Sequence, residues 1–191
     1  MIDTQKEYAR RQQIPLYWHN KSSDLRAAAG SVWYCMEQSR KVCIAEELNL
    51  PKGFDIEVAA WPVYRMLCGL SLELIYKAVI VAKNEQPNNT RNLAELATTA
   101  GIGLDKNMRG VLDLLTEGIL WEGKYPSPNK IGHANIEKFS TLHKEKLFVR
   151  TMLGSSEIFT PRIPNPLSWE EFSIIWNFGN RAYWEKIDSS I

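Results

Sequence analysis

The sequence predicts an all-α protein, an up-down helical bundle of about five to seven helices. Apolar side chains recur at helical spacing in several long segments, alternating runs typical of strands are few, and the connections between segments are short. The chain has 191 residues, of which 45% are hydrophobic and 24% charged. A chain of this length can bury a core of its own without disulfides or metal ions.

The sequence predicts a boundary at residue 22 between an N-terminal leader and a helical domain. Residues 1–21 are expected to form a polar leader, and residues 22–191 a single helical domain. Ser22, Ser23 and Asp24 are candidate N-caps of the first strong helix. A stripe with steps of three and four then predicts a helix of about five turns, with Leu25, Ala29, Val32, Met36, Ser39 and Cys43 on one face.

The second helix, from about Ile56 to Asn84, is expected to be the central element of the bundle. Apolar side chains surround nearly the whole circumference of its second half, which indicates packing on several sides. Glu73 precedes Lys77 by four residues, the orientation that favours an ion pair within a helix. Leu74→Asp is expected to unfold the protein, because it would bury an unpaired charge.

Capping patterns predict where the later helices begin. Asn92 with Glu95 forms a capping box for a short helix, and Asp105 caps the next one. Ser168 with Glu171 forms another capping box, for a last helix. The buried faces of these two longer helices are predicted to carry Met108, Val111, Leu112, Leu115 and Ile119 in the first, and Phe172, Ile175, Trp176, Gly179 and Tyr183 in the second.

Three segments precede the last helix. Residues 121–128 contain two prolines and two aromatic residues and are predicted to form a rigid turn. Residues 135–150 are predicted to form a moderately amphipathic helix. Residues 153–167 contain three prolines and are expected to form a loop.

Charge and cysteine content narrow the function classes. The 23 basic and 22 acidic side chains give a net charge of +1, so nucleic-acid binding would depend on a local patch. Cys35, Cys43 and Cys68 form no paired motif and are interpreted as buried, reduced thiols. The polar N-terminus lacks the apolar region of a signal peptide, and no stretch suits a membrane span. We therefore expect a cytoplasmic protein without membrane association.

No residue pattern proves an enzymatic activity. The sequence has no phosphate-binding glycine loop, no nucleophile elbow and no spacing typical of a metal site, so neither a cofactor nor a metal is expected. Arg181 lies among aromatic residues and is either a packing residue or a ligand contact. A basic cluster between residues 138 and 150 is either a solvated helix face or a local patch for RNA phosphates. It comprises Lys138, His143, Lys144, Lys146 and Arg150.

Three segments resemble parts of the HEPN family of helical bundles. The apolar segment 69–83, with its Glu-to-Lys step, resembles the second family helix, and residues 92–96 look like its short His-Asp-Leu helix. The run Trp-Glu-Gly-Lys-Tyr-Pro at 121–126 is similar to a Trp-x-Gly-Arg-Tyr-Pro turn of some members. The match spans about residues 22–150. It implies an up-down bundle that often forms a homodimer, and many members are metal-independent endoribonucleases of prokaryotic toxin–antitoxin and phage-defence systems.

The family's active site, as the resemblance implies it, is an Arg followed after four to six residues by a His. The His serves as general acid or base, and the Arg stabilises the charge of the transition state. This sequence departs from the pattern, because Arg91 has no His at that distance. The nearest approximation is Lys138, which is separated from His143 by four intervening residues. These two are the candidate catalytic residues. The candidate contacts to RNA or another ligand are Lys144, Lys146, Arg150, Arg91 and Arg181.

Three functions remain open on the sequence. The first is a HEPN-like protein of a prokaryotic stress or defence module that lacks the nuclease motif and binds RNA, a nucleotide or a protein partner of the same module. The second is a metal-independent endoribonuclease with a non-standard site around His143. The third is a structural or regulatory interaction module with an exposed aromatic surface drawn from Trp169, Trp176 and Trp184.

Overall fold

Helices form most of the protein, as the sequence predicts, and one hairpin interrupts them. The computed structural model describes residues 4–127, 133–153, 156–163 and 165–189. Its elements in chain order are α1 (Thr4–Gln12), α2 (Pro15–Cys35), α3 (Gln38–Glu47), α4 (Ile56–Ala82), α5 (Leu93–Ala100), α6 (Lys106–Glu117), a π-helical turn (Gly118–Glu122), α7 (His133–Leu147), β1 (Phe148–Leu153), β2 (Ser156–Pro161) and α8 (Trp169–Asp188). The fold is therefore all-α, with eight α-helices in the described ranges where five to seven were expected.

Helix α4 is the centre of the bundle, as its apolar circumference predicts. Helices α2, α5, α6 and α8 and the π-helical turn all pack against it. The expected ion pair forms within it, where Lys77 Nζ donates to Glu73 Oε1 at 2.6 Å. Leu74 is only half-buried, whereas the neighbouring Ile75 is fully buried. A charge at Leu74 would therefore be only partly buried, and Ile75 is the position that probes the core more directly.

The predicted start of the first long helix is wrong. Helix α2 begins at Pro15, where the fixed φ of proline suits the first helical position. Ser22 lies in its middle and is buried, and its Oγ donates to Ser71 O on α4 at 2.7 Å. Trp176 Nε1 on α8 donates to the same Oγ at 3.0 Å. Ser22 therefore joins three helices where a cap was expected, and residues 1–21 include α1 and the first turns of α2.

The stripe that predicted one helix of five turns is divided between two helices. Helix α2 ends at Cys35, and α3 begins at Gln38 after a short turn. The prediction of three buried thiols consequently holds for Cys68 alone, where burial raises the pKa of the thiol above its ordinary value. Cys35 is half-buried, and Cys43 is exposed. Cys43 lies on α3, whereas Leu25 and Ala29 lie on α2, so the predicted stripe is not one continuous helix face.

The three predicted helix caps are confirmed. Asn92 Oδ1 accepts from Glu95 N at 3.1 Å, and Asp105 Oδ1 accepts from Met108 N at 2.8 Å. Ser168 Oγ accepts from the backbone N–H of the third helical residue of α8 at 3.2 Å. The predicted apolar faces of α6 and α8 also lie in the core, with Met108 half-buried. Local hydrogen bonds between neighbours explain why these boundaries could be predicted from sequence.

The segment after α7 contains a hairpin that the sequence analysis missed. Helix α7 ends at Leu147, three residues before its predicted end, and β1 pairs with β2 in antiparallel register from Phe148↔Pro161 to Leu153↔Ser156. Most of its side chains are exposed. Arg162 follows β2, and its guanidinium donates to the carbonyls of Glu145 and Lys146 at 3.0 and 3.1 Å. These bonds satisfy carbonyls at the end of α7 that lack a helical partner.

The segment before α7 is helical over more residues than the sequence predicts. The π-helical turn extends the helical backbone of α6 through Glu122, so the turn predicted from residue 121 begins later, and Pro128 lies outside the described residues.

Within the described ranges, every helix is too short or too polar to cross a lipid bilayer.

Candidate functional site

His143 belongs to a cluster with Arg65 of α4 and Glu122 of the π-helical turn. Arg65 is only 2% exposed. Its Nη1 donates to Glu122 Oε1 at 2.7 Å, and its Nη2 lies 2.8 Å from His143 Nε2. A guanidinium has donors only, so Nε2 must be the acceptor and the imidazole proton resides on Nδ1.

Burial and charge hold the imidazole of this cluster neutral. Desolvation, and then the positive charge of Arg65, lower the pKa of His143 to about 4. Burial raises the pKa of Glu122, Arg65 opposes that shift, and the nearby Glu117 adds to it. At pH 7 the cluster therefore pairs a charged guanidinium with a neutral imidazole. The only lone pair that His143 could offer as a general base already accepts a hydrogen bond.

Aromatic contacts fix the same cluster on its outer side. The His143 ring lies 3.9 Å from the ring of Phe139, centroid to centroid, and Phe139 meets Trp121 edge-on at 5.1 Å. Arg65, Glu122 and Phe139 thus tie α4, the π-helical turn and α7 together. This geometry favours a packing role for His143. Arg65 Nε and Glu122 Oε2 are buried and make no hydrogen bond to the described residues, which leaves them available for an ordered water.

Lys138 does not join His143. It is exposed and lies beside the cleft between α6 and α7, whose other residues include Asp113, Glu137 and Glu145. A separation of five residues turns the two side chains about 140° apart on a helix, so a shared face is not formed. Arg65, which lies 78 residues away in sequence, takes the position next to His143 that Lys138 was expected to occupy.

The other basic residues of the predicted patch are dispersed or paired. Lys144 Nζ lies 6.0 Å from the centre of the Phe159 ring. Burial raises the pKa of Asp113, and the positive charges of Lys146 and Lys138 oppose that shift. Arg150 of β1 forms an ion pair with Glu157 of β2. Arg91 and Arg181 are exposed and lie elsewhere, before α5 and on α8. The predicted RNA contacts therefore belong to four separate segments. Arg150 also lies on a strand, and not on the helix with His143.

A different basic surface lies between α2, the start of α3 and α8. This groove has a volume of about 520 Å³. We call it the Arg26 groove. Among the described residues that line it, two are arginines and none is acidic. They are Ser23, Arg26, Ala27, Gly30, Ser31, Tyr34, Cys35, Arg40, Trp169 and Trp176.

Two indole rings position the guanidinium of Arg26. Its Cζ lies 4.7 Å from the centre of the Trp176 ring and 5.1 Å from that of Trp169. Its Nη2 makes one long hydrogen bond of 3.4 Å to Ser173 Oγ, and its Nε is buried without a partner among the described residues. Gly30 permits this arrangement, because a Cβ there would lie 2.9 Å from Trp169 Cη2. Arg26 is thus oriented by ring contacts and retains donors for a ligand.

The second arginine of the groove is more exposed. Arg40 Cζ lies 5.8 Å from the centre of the Tyr34 ring. Its Nε is 3.6 Å from Glu37 Oε2, and the Arg40 side chain is exposed. An exposed ion pair of this kind contributes only about 0–1 kcal/mol. Arg40 can therefore turn toward an anion at small cost.

The sequence analysis missed this groove although a signal was present. Arg26 and Ala27 follow Ser23 by three and four residues, and Gly30 and Tyr34 follow Ala27 in further steps of three and four, which places all five on one face of α2. The apolar stripe that runs from Leu25 lies beside them on the same helix and is the stronger pattern in the sequence. The arrival of Trp169 and Trp176 from the far end of the chain could not be predicted locally.

The aromatic surface predicted from three tryptophans is wrong as a unit. Trp176 is buried and Trp169 is half-buried, whereas Trp184 is exposed.

In the described part of the chain, no group of three or more His, Cys, Asp or Glu side chains is arranged to hold a metal ion. Comparison with family models, with curated proteins and with solved structures finds no match to this chain.

Proposed function

We propose that the protein is a binding module for single-stranded RNA, and that one nucleotide unit occupies the Arg26 groove. The observation that carries the proposal is the guanidinium of Arg26, positioned by Trp169 and Trp176 in an open groove whose described lining residues include no carboxylate. Of the functions open on the sequence, this is the first, a HEPN-like protein that acts by binding and not by cleavage.

The groove combines the two features that single-stranded nucleic acid needs. Aromatic faces stack with bases at about 1–3 kcal/mol per base, and arginines pair with the backbone phosphates. Tyr34 is exposed at 42% and offers its ring at the rim, next to Arg40. Arg26 then lies deeper, between the indoles. A base on Tyr34 with phosphates on the two arginines uses all of these groups.

The net charge of the whole chain agrees with a local site of this kind. A total of +1 gives little long-range attraction to a polyanion, so affinity would come from a few contacts. Two phosphate contacts to a single strand predict a slope of log affinity against log salt of roughly −1.4. The sequence resemblance is the basis for three further parts of the proposal: membership of the HEPN family, a homodimeric state and a place in a prokaryotic stress or defence module. A protein partner from such a module belongs to the same proposal.

Fluorescence anisotropy with a labelled single-stranded RNA tests the proposal. Arg40→Gln is exposed and should fold normally, and together with Arg26→Gln it should weaken binding at least tenfold. Arg150→Gln with Arg181→Gln removes the same charge outside the groove and serves as the matched control. If the control pair weakens binding and the groove pair does not, the groove is not the RNA site. A free mononucleotide that binds as tightly as the RNA would identify a nucleotide as the ligand instead.

Metal-independent RNA cleavage is a second candidate, favoured by the contact between Arg65 and His143. A guanidinium next to an imidazole can stabilise the charge of a phosphorane while the imidazole transfers a proton. In the observed geometry, that reaction requires the 2.8 Å hydrogen bond to His143 Nε2 to break first. Incubation with RNA in EDTA tests this candidate: cleavage that His143→Gln abolishes would establish it, and intact RNA would remove it.

A further inference from the structure

A second aromatic cleft, opposite in charge to the Arg26 groove, lies between the end of α2 and the start of α4. Its volume is about 750 Å³, within the range of pockets that take small organic ligands. We call it the Trp61 cleft. Its apolar walls come from Trp33, Val58 and Trp61, and its acidic side chains are Glu37, Asp55 and Glu57. No basic side chain is among the described residues that line it.

The aromatic wall of this cleft is fixed. The ring centres of Trp33 and Trp61 lie 6.0 Å apart, and both rings pack on Tyr64, at 5.1 and 5.5 Å. Tyr64 is buried, whereas the two indoles are half-buried and Val58 is 70% exposed. The cleft therefore presents indole surface to solvent on a rigid base, which suits an aliphatic stem and a cation near the ring faces.

The carboxylates of the cleft have unused acceptor capacity. Asp55 accepts one hydrogen bond, from Glu57 N at 2.9 Å, as the N-cap of α4. Glu57 Oε2 is 3.4 Å from Lys41 Nζ, and Glu37 Oε2 is 3.6 Å from Arg40 Nε. Both ion pairs are long and both carboxylates are exposed to solvent, so the pairs are weak. Each carboxylate has about four acceptor sites, and most of these stay open to a ligand with N–H donors.

We infer that the Trp61 cleft binds an aliphatic polyamine, a methylene chain that carries two or more ammonium groups. The methylene stem lies on the indoles and Val58, and the ammonium groups reach carboxylates at different points of the rim. A compact ion such as Mg²⁺ would leave the apolar wall uncovered, and a neutral apolar molecule would leave the carboxylates unused. The ligand differs in charge from the one proposed for the Arg26 groove, and this inference does not depend on that proposal.

Isothermal titration calorimetry on the RNA-free protein tests the inference with a matched pair of ligands. 1,6-Diaminohexane and 1,6-hexanediol have the same chain and differ in charge. We expect the diamine and spermidine to bind, spermidine more tightly, and the diol to show no detectable binding. Equal binding of diol and diamine, or no binding of either amine, would overturn the inference.

Substitutions locate the binding in the cleft. Glu37→Gln with Glu57→Gln keeps side-chain shape and removes two charges, and we expect at least a tenfold loss of diamine affinity. Glu46→Gln with Glu185→Gln makes the same change of charge outside the cleft and should leave the affinity unchanged. Trp61→Leu should weaken the diamine severalfold. An unchanged affinity in the Glu37 and Glu57 variant, with circular dichroism showing a normal fold, would contradict the assignment.

Discussion

The Arg26 groove and the Trp61 cleft are built on neighbouring residues of one helix and differ mainly in the sign of their charge. Tyr34 lines the groove and Trp33 lines the cleft, and consecutive residues of a helix point about 100° apart. Both sites present aromatic faces. The groove adds arginines and the cleft adds carboxylates, so in the two proposed complexes the aromatic residues would supply contact area and the charged residues would select the ligand.

The ion pair between Arg40 and Glu37 connects the two sites. Arg40 lines the groove and its partner Glu37 lines the cleft. The pair lies where α2 ends and α3 begins, at the turn that the sequence analysis did not predict. An anion that draws Arg40 into the groove frees Glu37 for a cation in the cleft.

The largest effect is expected in the core on which both sites rest. Ile75 is fully buried on α4, and a Cβ added at Gly179 of α8 would lie only 2.9 Å from Ile75 Cγ2. Ile75→Ala should lower the free energy of unfolding by about 2–5 kcal/mol. Ile174→Ala changes the same residue type at an exposed position of α8 and should cost less than about 0.5 kcal/mol. Urea denaturation measures both, and equal losses would mean that α4 is not the centre of the bundle.

A smaller effect, in stability alone, is expected at the cluster of His143. Its pKa is lowered to about 4 by burial and Arg65, so below about pH 6.5 the unfolded chain binds a proton that the folded chain does not. The folded protein should therefore lose stability as the pH falls from about 6.5 to 4. Because the ring is only half-buried, solvent screening limits the loss to roughly 1–2 kcal/mol.

His143→Gln isolates this contribution. Glutamine can accept from Arg65 and does not titrate, so the variant should show a flatter dependence of the unfolding midpoint on pH over the same range. Ligand binding at both aromatic sites should be unchanged. A pH dependence equal to that of the wild type would show that another group causes it.

The smallest effect is a coupling between the two sites. If Arg40 and Glu37 separate when either ligand binds, saturating diamine should tighten RNA binding about two- to threefold, and RNA should tighten diamine binding by the same factor. Anisotropy titrations with and without diamine measure the first factor, with hexanediol as the control. Glu37→Gln should abolish the coupling. Diamine that weakens RNA binding would indicate competition for phosphate and contradict the connection through Arg40.

The parts of the fold that could be predicted from sequence are those fixed by near neighbours. The caps at Asn92, Asp105 and Ser168 are hydrogen bonds between residues three apart, and the apolar circumference of α4 is an average over many side chains. The hairpin after α7 could not be predicted in the same way, because its exposed strands show no apolar alternation. The turn at Met36 interrupts a stripe that continues in sequence but not in space.

The candidate sites depended on contacts across the chain, and the sequence identified them only in part. His143 was predicted to pair with Lys138 as a candidate catalytic residue, but its neighbour in the structure is Arg65, which lies on another helix. Arg26 was overlooked because its surroundings come from α8. Charge clustering along the sequence pointed to residues 138–150, where the structure places carboxylates among the lysines. Sequence proximity predicted helices well and predicted surfaces poorly.

The central claim is that single-stranded RNA lies in the Arg26 groove and not on α7. Photo-cross-linking with RNA that contains 4-thiouridine, followed by mass spectrometry of the linked peptides, measures this most directly. The account predicts cross-links at Tyr34 or Trp169, which Arg26→Gln with Arg40→Gln abolishes. Cross-links confined to residues 138–150, retained in that variant, would contradict it.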